Sequence, residues 1–263
     1  MTTRRAFAAI AVSLFIFVTI PVSAEVVAII GTGRMGGAIG PRFAETGHKV
    51  IYGSRNPASK KVKALVTQTG HGARADTSAK AIAEADIIVL ALLWSATEDL
   101  IKENVDKLDG KIIFDITNAT LKALQPDREG AVDSSAGALI QAWAPNAKVV
   151  KAFNTVGYHV VADPEHAGGP VTVPLVGNDQ AAVEHVSEIV QAMGFQTIIL
   201  GGIEQAHVLE GMATLYFVPY GSGRFDEAFE YYFRKGTAPE GIGSAQVRGA
   251  DISVSTTLAD ETR

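Results

Sequence analysis

The apolar run Val26–Ile30, followed at once by Gly31-Thr32-Gly33-Arg34-Met35-Gly36, leaves this chain few ways to fold. An unbroken apolar run fits a strand buried on both faces, as in a parallel sheet covered by helices. The glycine pattern G-x-G-x-x-G then opens a helix over Arg34–Thr46, with Met35, Ile39 and Phe43 at near-helical spacing. In that context each glycine has a physical role. Gly31 permits a tight turn, Gly33 lets the backbone approach a pyrophosphate, and Gly36 lets helix and strand pack closely. With Thr32, Arg34 and Met35 they form a loop whose free N–H groups and partial positive charge suit phosphate. A dinucleotide site is predicted here.

Strands and helices continue to alternate. Lys49–Tyr52 is a second strand after the Gly47-His48 turn, and Lys60–Thr69 is helical. Thr77–Glu84 reads as a short helix and Asp86–Leu93 as the strongest central strand. Lys111–Ile116, Lys148–Phe153 and Thr172–Val176 are further strands. An amphipathic helix over Asp179–Met193, a strand over Phe195–Leu200, a helix over Gly202–Tyr216 and a short helix over Asp226–Phe233 complete the pattern. The alternation predicts an α/β fold, a Rossmann-type doubly wound parallel sheet with a small C-terminal α/β lobe. The expected division is a nucleotide-binding unit over 25–157, the lobe over 158–234, and a loose tail over 235–263 where periodicity fades.

The end of the second strand selects the dinucleotide. A site for NAD places an acid there, to bind the ribose 2′-hydroxyl. This chain has Gly53-Ser54-Arg55-Asn56 instead. A guanidinium pairs with a 2′-phosphate in fork geometry, Ser54 can add a hydrogen bond, and Lys60 lies at the start of the next helix. NADP(H) is therefore expected over NAD(H).

The first 24 residues form a separate unit. Arg4 and Arg5 precede the uncharged, mostly apolar stretch Ala6–Ile20, Pro21 breaks it, and Val22-Ser23-Ala24 ends on small residues. That is the order of a signal peptide cleaved after Ala24. The apolar stretch falls short of the roughly 20 residues a spanning helix needs. Export to the periplasm or beyond is expected, with no membrane attachment after cleavage. Thr3-Arg4-Arg5-Ala6-Phe7 is similar to a twin-arginine signal, a route for folded proteins. A leader that does not function would leave the protein cytoplasmic. Losing it makes the net charge of −5 two units more negative, which gives no reason to expect a nucleic-acid partner. The chain has no cysteine, which excludes a disulfide scaffold, a thiol nucleophile and a Cys-ligated zinc site. Its six histidines, at 48, 71, 159, 166, 185 and 207, lack metal-ligand spacing, so no metal is expected.

The glycine loop, Tyr52-Gly53-Ser54-Arg55-Asn56 and Val150-Lys151-Ala152-Phe153-Asn154-Thr155-Val156-Gly157 together resemble the NADP oxidoreductases that use the deazaflavin coenzyme F-420 (F420). That family shares its nucleotide domain with pyrroline-5-carboxylate reductases and with the reductase domain of some membrane ferric reductases. The resemblance spans about Val26 to Met212. It implies a second ligand in the cleft between the two units. It places Ser54, Arg55 and, shifted by one residue, Lys60 at the 2′-phosphate. It places Leu92, Leu93 and Trp94 along the nicotinamide and ribose, with Asn118 at the next strand end. Asn154, Thr155 and Val156 correspond to contacts with the nicotinamide amide and second ligand, and Gly211 and Met212 to the C-terminal wall. The family often has proline where Leu93 stands.

The reaction implied is direct hydride transfer between NADPH and a small-molecule acceptor, a deazaflavin or flavin. Such a ring needs no proton relay, whereas an imine or carbonyl such as pyrroline-5-carboxylate calls for a proton donor. Lys151, Tyr158 and His159 are the candidates, with blander readings beside them: Lys151 alternates with apolar neighbours as a solvent-facing residue would, and the other two could only pack or cap. A non-catalytic NADP-binding protein is the other class in play. The aromatic stretch Tyr216, Phe217, Tyr220, Phe225, Phe229, Tyr231, Tyr232 and Phe233 is expected to serve as lobe core and homodimer contact rather than as a flavin wall.

Overall fold

The apolar and polar periodicities set the layers. The computed structural model describes residues 24–119, 135–221, 231–234 and 236. Its elements are β1 (Val26–Ile30), α1 (Arg34–Glu45), β2 (Lys49–Gly53), α2 (Lys60–Thr69), β3 (Arg74–Asp76), α3 (Ser78–Glu84), β4 (Ile87–Leu90) and α4 (Thr97–Glu103). There follow β5 (Ile112–Asp115), α5 (Ala136–Trp143), β6 (Lys148–Lys151), α6 (Tyr158–Ala162), β7 (Thr172–Gly177), α7 (Gln180–Ala192), β8 (Gln196–Ile199) and α8 (Ala206–Gly221). The strands form one sheet in the order β3-β2-β1-β4-β5-β6-β7-β8. All pairs are parallel except β6–β7, where Val150 lies opposite Gly177 and Lys151 opposite Val176. The C-terminal unit thus supplies α6, β7, α7, β8 and α8, and that antiparallel pair joins its strands to the nucleotide half.

Successive residues of β1 point to opposite faces, and each face has its own core. Val27 and Ile29 join Ile39 and Phe43 of α1, Leu65 of α2 and Val186 of α7. Ala28 and Ile30 join Ala81 and Ile82 of α3, Ile101 of α4, Ile140 of α5 and Leu209 of α8. Fully burying a side chain such as Phe43 contributes about 1.5–3 kcal/mol. Helices on both faces make the sheet doubly wound.

Two expected elements differ from the sequence reading. β4 stops at Leu90, not Leu93. The Ala91 N–H still donates to the Ile30 carbonyl (2.9 Å), but β1 then turns away and leaves no ladder partner. Residues 94–96 close into a 3-10 turn, and Leu93 is 79% exposed. Residues 231–233 of the expected helix over 226–233 are not helical, and 226–230 lie outside the described residues. So do residues 1–23 of the leader and, apart from Gly236, the tail over 235–263. Three short helices, α4, α5 and α6, and the three-residue β3 lack a periodicity long enough to read.

Two packing details are testable. Tyr52 is fully buried, with its hydroxyl 2.7 Å from Thr69 Oγ1. A Cβ on Gly40 of α1 would overlap that hydroxyl. Gly40→Ala is expected to cost about 1–3 kcal/mol by overpacking, read as a lower midpoint of chemical denaturation. His48 is buried edge-on to Phe43, centroids 5.7 Å apart. Burial pushes its pKa down, Glu25 opposes that shift, and His185 adds to it. The unfolded chain therefore binds this proton more readily than the folded one. Stability should be fully present above about pH 6.5 and decline as pH falls below it. His48→Asn should flatten that dependence in denaturation measured across the range.

Candidate functional site

β1 and β4 are neighbours whose chains leave toward opposite sides of the sheet, so a crevice opens beyond their carboxyl ends. A cleft of about 730 Å³ lies there. It is walled by Gly31 and Thr32, by Gly53 to Asn56, and by Leu92 and Leu93.

The loop at its floor has no room for side chains on two sides. Gly31 has φ +115°, and a Cβ there would overlap the Ala91 carbonyl oxygen. A Cβ on Gly36 would overlap the Gly31 carbonyl oxygen. Gly33 differs, since a Cβ there would meet nothing within 4 Å. It is the N-cap of α1, with no side-chain cap and no acid in the first helical turn. The helix therefore presents its first N–H groups to open space, as an anion site requires. The Arg34 guanidinium lies 5.4 Å from the centroid of the Tyr158 ring, and Met35 packs against the core. Gly33→Val has an allowed backbone (φ −79°, ψ −164°) and open space. It should leave the denaturation midpoint nearly unchanged and weaken dinucleotide binding at least tenfold (about 1.4 kcal/mol), measured by titration calorimetry.

At the second strand end, the Ser54 N–H donates to the Asp76 carbonyl (3.0 Å), and Ser54 Oγ accepts from the Asn56 N–H (3.2 Å). The Ser54 O–H stays available to donate. Arg55 and Asn56 are exposed on the cleft wall. The cation beside them from α2 is Lys61, and Lys60 does not reach the wall. One residue is about 100° around a helix, so adjacent lysines of α2 point in different directions and only Lys61 turns to the cleft. The register sets Asp76 opposite Gly53, but its carboxylate accepts from the Thr77 N–H (2.7 Å) and lies near Lys80 (3.8 Å) and Arg74 (3.9 Å). Asp99 and Glu103 of α4 face the cleft from the other side. The sequence reading missed them because α4 itself was not read.

The residues expected along the nicotinamide, Asn118, Asn154, Thr155, Val156, Gly211 and Met212, are not among those that wall this cleft; they lie at and beyond the ends of β5 and β6 and on α8. Asn154 Nδ2 donates to Asn118 Oδ1 (3.0 Å) and to the Leu209 carbonyl (2.9 Å), and Asn118 Nδ2 donates to the Asn154 carbonyl (3.2 Å). Phe153, just before, has φ +55°, an outlier for a bulky residue that costs about 1–3 kcal/mol. It is held by packing between Phe114 (6.1 Å) and Phe195 (4.9 Å). Thr155 and Val156 are buried behind the pair. Trp94 does not line the cleft; it stacks on Trp143 at 5.5 Å and 21°. On α8, Gly211 is exposed, and the Met212 carbonyl accepts from the Tyr231 hydroxyl. Of the aromatic stretch, Tyr216 and Tyr231 meet edge-on and Tyr232 packs on the core. The side chains of Phe217, Tyr220, Phe225 and Phe229 lie outside the described residues.

Lys151 does not face solvent. It is fully buried, with Nζ 2.7 Å from Asp115 Oδ2, 3.0 Å from Glu210 Oε1 and 2.7 Å from the Thr117 carbonyl. Burial disfavours its charge, but the two carboxylates outweigh that and hold its pKa above the ordinary lysine value. An ammonium enclosed by two carboxylates and a carbonyl, and absent from the cleft wall, is not placed to give a proton to a substrate. His159 packs edge-on to His166, centroids 5.0 Å apart, and Tyr158 is 43% exposed under Arg34. Among the described residues no group of three or more His, Asp or Glu could hold a metal.

Comparison with known proteins agrees with this geometry. Residues 26–119 match the family model described as NADP oxidoreductase, coenzyme F420-dependent. An F420-dependent NADP reductase of Methanocaldococcus jannaschii is 30% identical over 200 residues, covering 70% of this chain and 87% of that one. The metalloreductase STEAP3 of Rattus norvegicus is 29% identical over 195 residues, 73% of this chain. The chain spans just over a third of that relative's length (37%). A crystal structure of a candidate F420-dependent NADP-reductase from Arthrobacter sp. FB24 superposes with TM-score 0.70 at 27% identity, over 80% of this chain and all of that one. An imine reductase of Myxococcus stipitatus in complex with NADP+ shares the fold, with TM-score 0.53 at 18% identity, over 75% of this chain and 62% of that one. An open phosphate loop, a cationic second strand end and a relative matched over most of its length all lead to one assignment: the chain belongs to the coenzyme F420-dependent NADP oxidoreductase family, a family of NADP-dependent reductases with a Rossmann-type fold.

Proposed function

We propose that the protein transfers a hydride between NADPH and a deazaflavin- or flavin-like acceptor. The observation that carries the cofactor half is the cleft itself. Its uncapped helix start and clear space over Gly33 suit a pyrophosphate, and Arg55 and Lys61 on the same cleft support a 2′-phosphate on the β2 side. NADPH, when bound, supplies the hydride from its nicotinamide ring. In this reading the ring extends from Leu92 and Leu93 on the cleft wall toward the strand ends that carry the Asn118–Asn154 pair, which the family resemblance assigns to the nicotinamide. The protein's part is to bind, orient and exclude water. The acceptor half draws on relatives named as F420-dependent reductases, and on the burial of Lys151 in an ion cluster away from the cleft wall.

A hydrogen bond to a charged group is worth about 1.5–3 kcal/mol, so Arg55→Ala should weaken NADPH binding tenfold or more. NADH binding should hardly change. Equal affinity of the unaltered protein for NADPH and NADH would refute the assignment. For the acceptor, NADPH oxidation is followed with coenzyme F420, FMN and pyrroline-5-carboxylate in parallel. Turnover with F420 or FMN is expected. Turnover with the imine alone would favour a second reading in which Tyr158, exposed beside Arg34, gives the proton.

We also propose export in folded form with the nucleotide bound. Among the described residues the sheet's first backbone bond, from the Lys49 N–H to the Glu25 carbonyl (2.9 Å), lies one residue past the expected cleavage point. N-terminal sequencing of the native protein, with extraction of bound nucleotide, tests this. A start at Glu25 with NADP released on denaturation is expected; an intact Met1 would refute it.

A further inference from the structure

Lys151 forms no wall of the cleft, yet its contacts gather three stretches of backbone beneath the nicotinamide half. The first is the turn after β5. Lys151 Nζ accepts no bond and donates to the Thr117 carbonyl (2.7 Å), while its partner Asp115 accepts at Oδ1 from Thr117 N–H (2.8 Å) and Oγ1 (2.7 Å). The second is its own strand, three residues before Asn154. The third is α8, through Glu210, whose neighbour Leu209 offers its carbonyl to Asn154 Nδ2 (2.9 Å). Glu210 also accepts from the N–H groups of Ala119 (3.4 Å), Ala136 (2.9 Å) and Gly137 (3.2 Å). The start of α5 thereby meets the negative charge that one lysine leaves over between two carboxylates. Gly137 leaves the room, since a Cβ there would stand 3.2 Å from Lys151 Cε.

A buried ion cluster is weak support for stability, because desolvation offsets most of its attraction. What it does supply is direction, in that an apolar side chain could fill the space but could not fix three segments in register. We propose that Lys151, with Asp115 and Glu210, is a positioning group that holds the Asn118–Asn154 pair against the nicotinamide end of the cofactor. This rests on the NADP(H) reading of the cleft.

The test separates the two ends of the cofactor. Adenosine 2′,5′-bisphosphate probes the Arg55 end alone, and NADPH probes both. In Lys151→Met the bisphosphate should bind within about twofold of the unaltered protein, while NADPH affinity falls about tenfold or more. The emission of bound NADPH should shift toward that of free NADPH, a signature that a purely structural role would not produce. Lys151→Met strands two buried carboxylates and risks misfolding. Glu210→Gln keeps the shape and should show the same split in smaller measure. Parallel loss of both ligands in a folded variant, or no loss of either, overturns the proposal. An unaltered protein that binds neither ligand overturns the cofactor reading and the proposal with it, and that failure is visible before any substitution is made.

Discussion

The structure hangs on one close approach, where the backbone leaving β1 passes against Ala91 and then against the first turn of α1. Neither Gly31 nor Gly36 could carry a side chain there without overlapping a carbonyl oxygen. This contact fixes the angle of α1 over the sheet, which carries Ile39 and Phe43 into one core, and it ends the β1–β4 ladder. The same contact leaves the N–H groups of the helix start uncapped, beside the only loop glycine of the three with clear space above it. The packing of α1 and the open helix start are thus consequences of the same turn.

Charge then divides the crevice. Arg55 and Lys61 stand on one wall and Asp99 and Glu103 on the other, so an anionic group is drawn to the β2 side. Toward β5 and β6 a second group of charges lies fully buried, in the Lys151–Asp115–Glu210 cluster. Phe153 contributes by strain, since its positive φ turns the chain so that Asn154 meets Asn118.

Local features of this molecule were legible in the sequence, and relational ones were not. The buried run Val26–Ile30 and the glycine loop identify themselves, because their constraints lie within a dozen residues. Arg55 was legible for the same reason. That Lys61 rather than Lys60 turns to the cleft was not, because it depends on the rotation of α2 about its axis. The end of β4 depends on where β1 turns away, which hydropathy does not record. Lys151 alternates with valine and alanine, as a surface strand residue would. Its burial is decided by Asp115 and Glu210, and the latter is remote in sequence. The family resemblance supplied the nicotinamide-side positions, and the structure brings Asn118 and Asn154 into contact, while it turns Trp94 aside onto Trp143.

The proposed function has one turn and one cationic strand end binding NADP(H) in a defined direction across the sheet. A crystal structure with NADP+ bound tests this most directly. The account predicts the pyrophosphate on the N-terminus of α1 over Gly33, the 2′-phosphate between Arg55 and Lys61, and the nicotinamide beside Asn118 and Asn154. A 2′-phosphate in solvent away from Arg55, or a dinucleotide lying in the opposite direction, would contradict it.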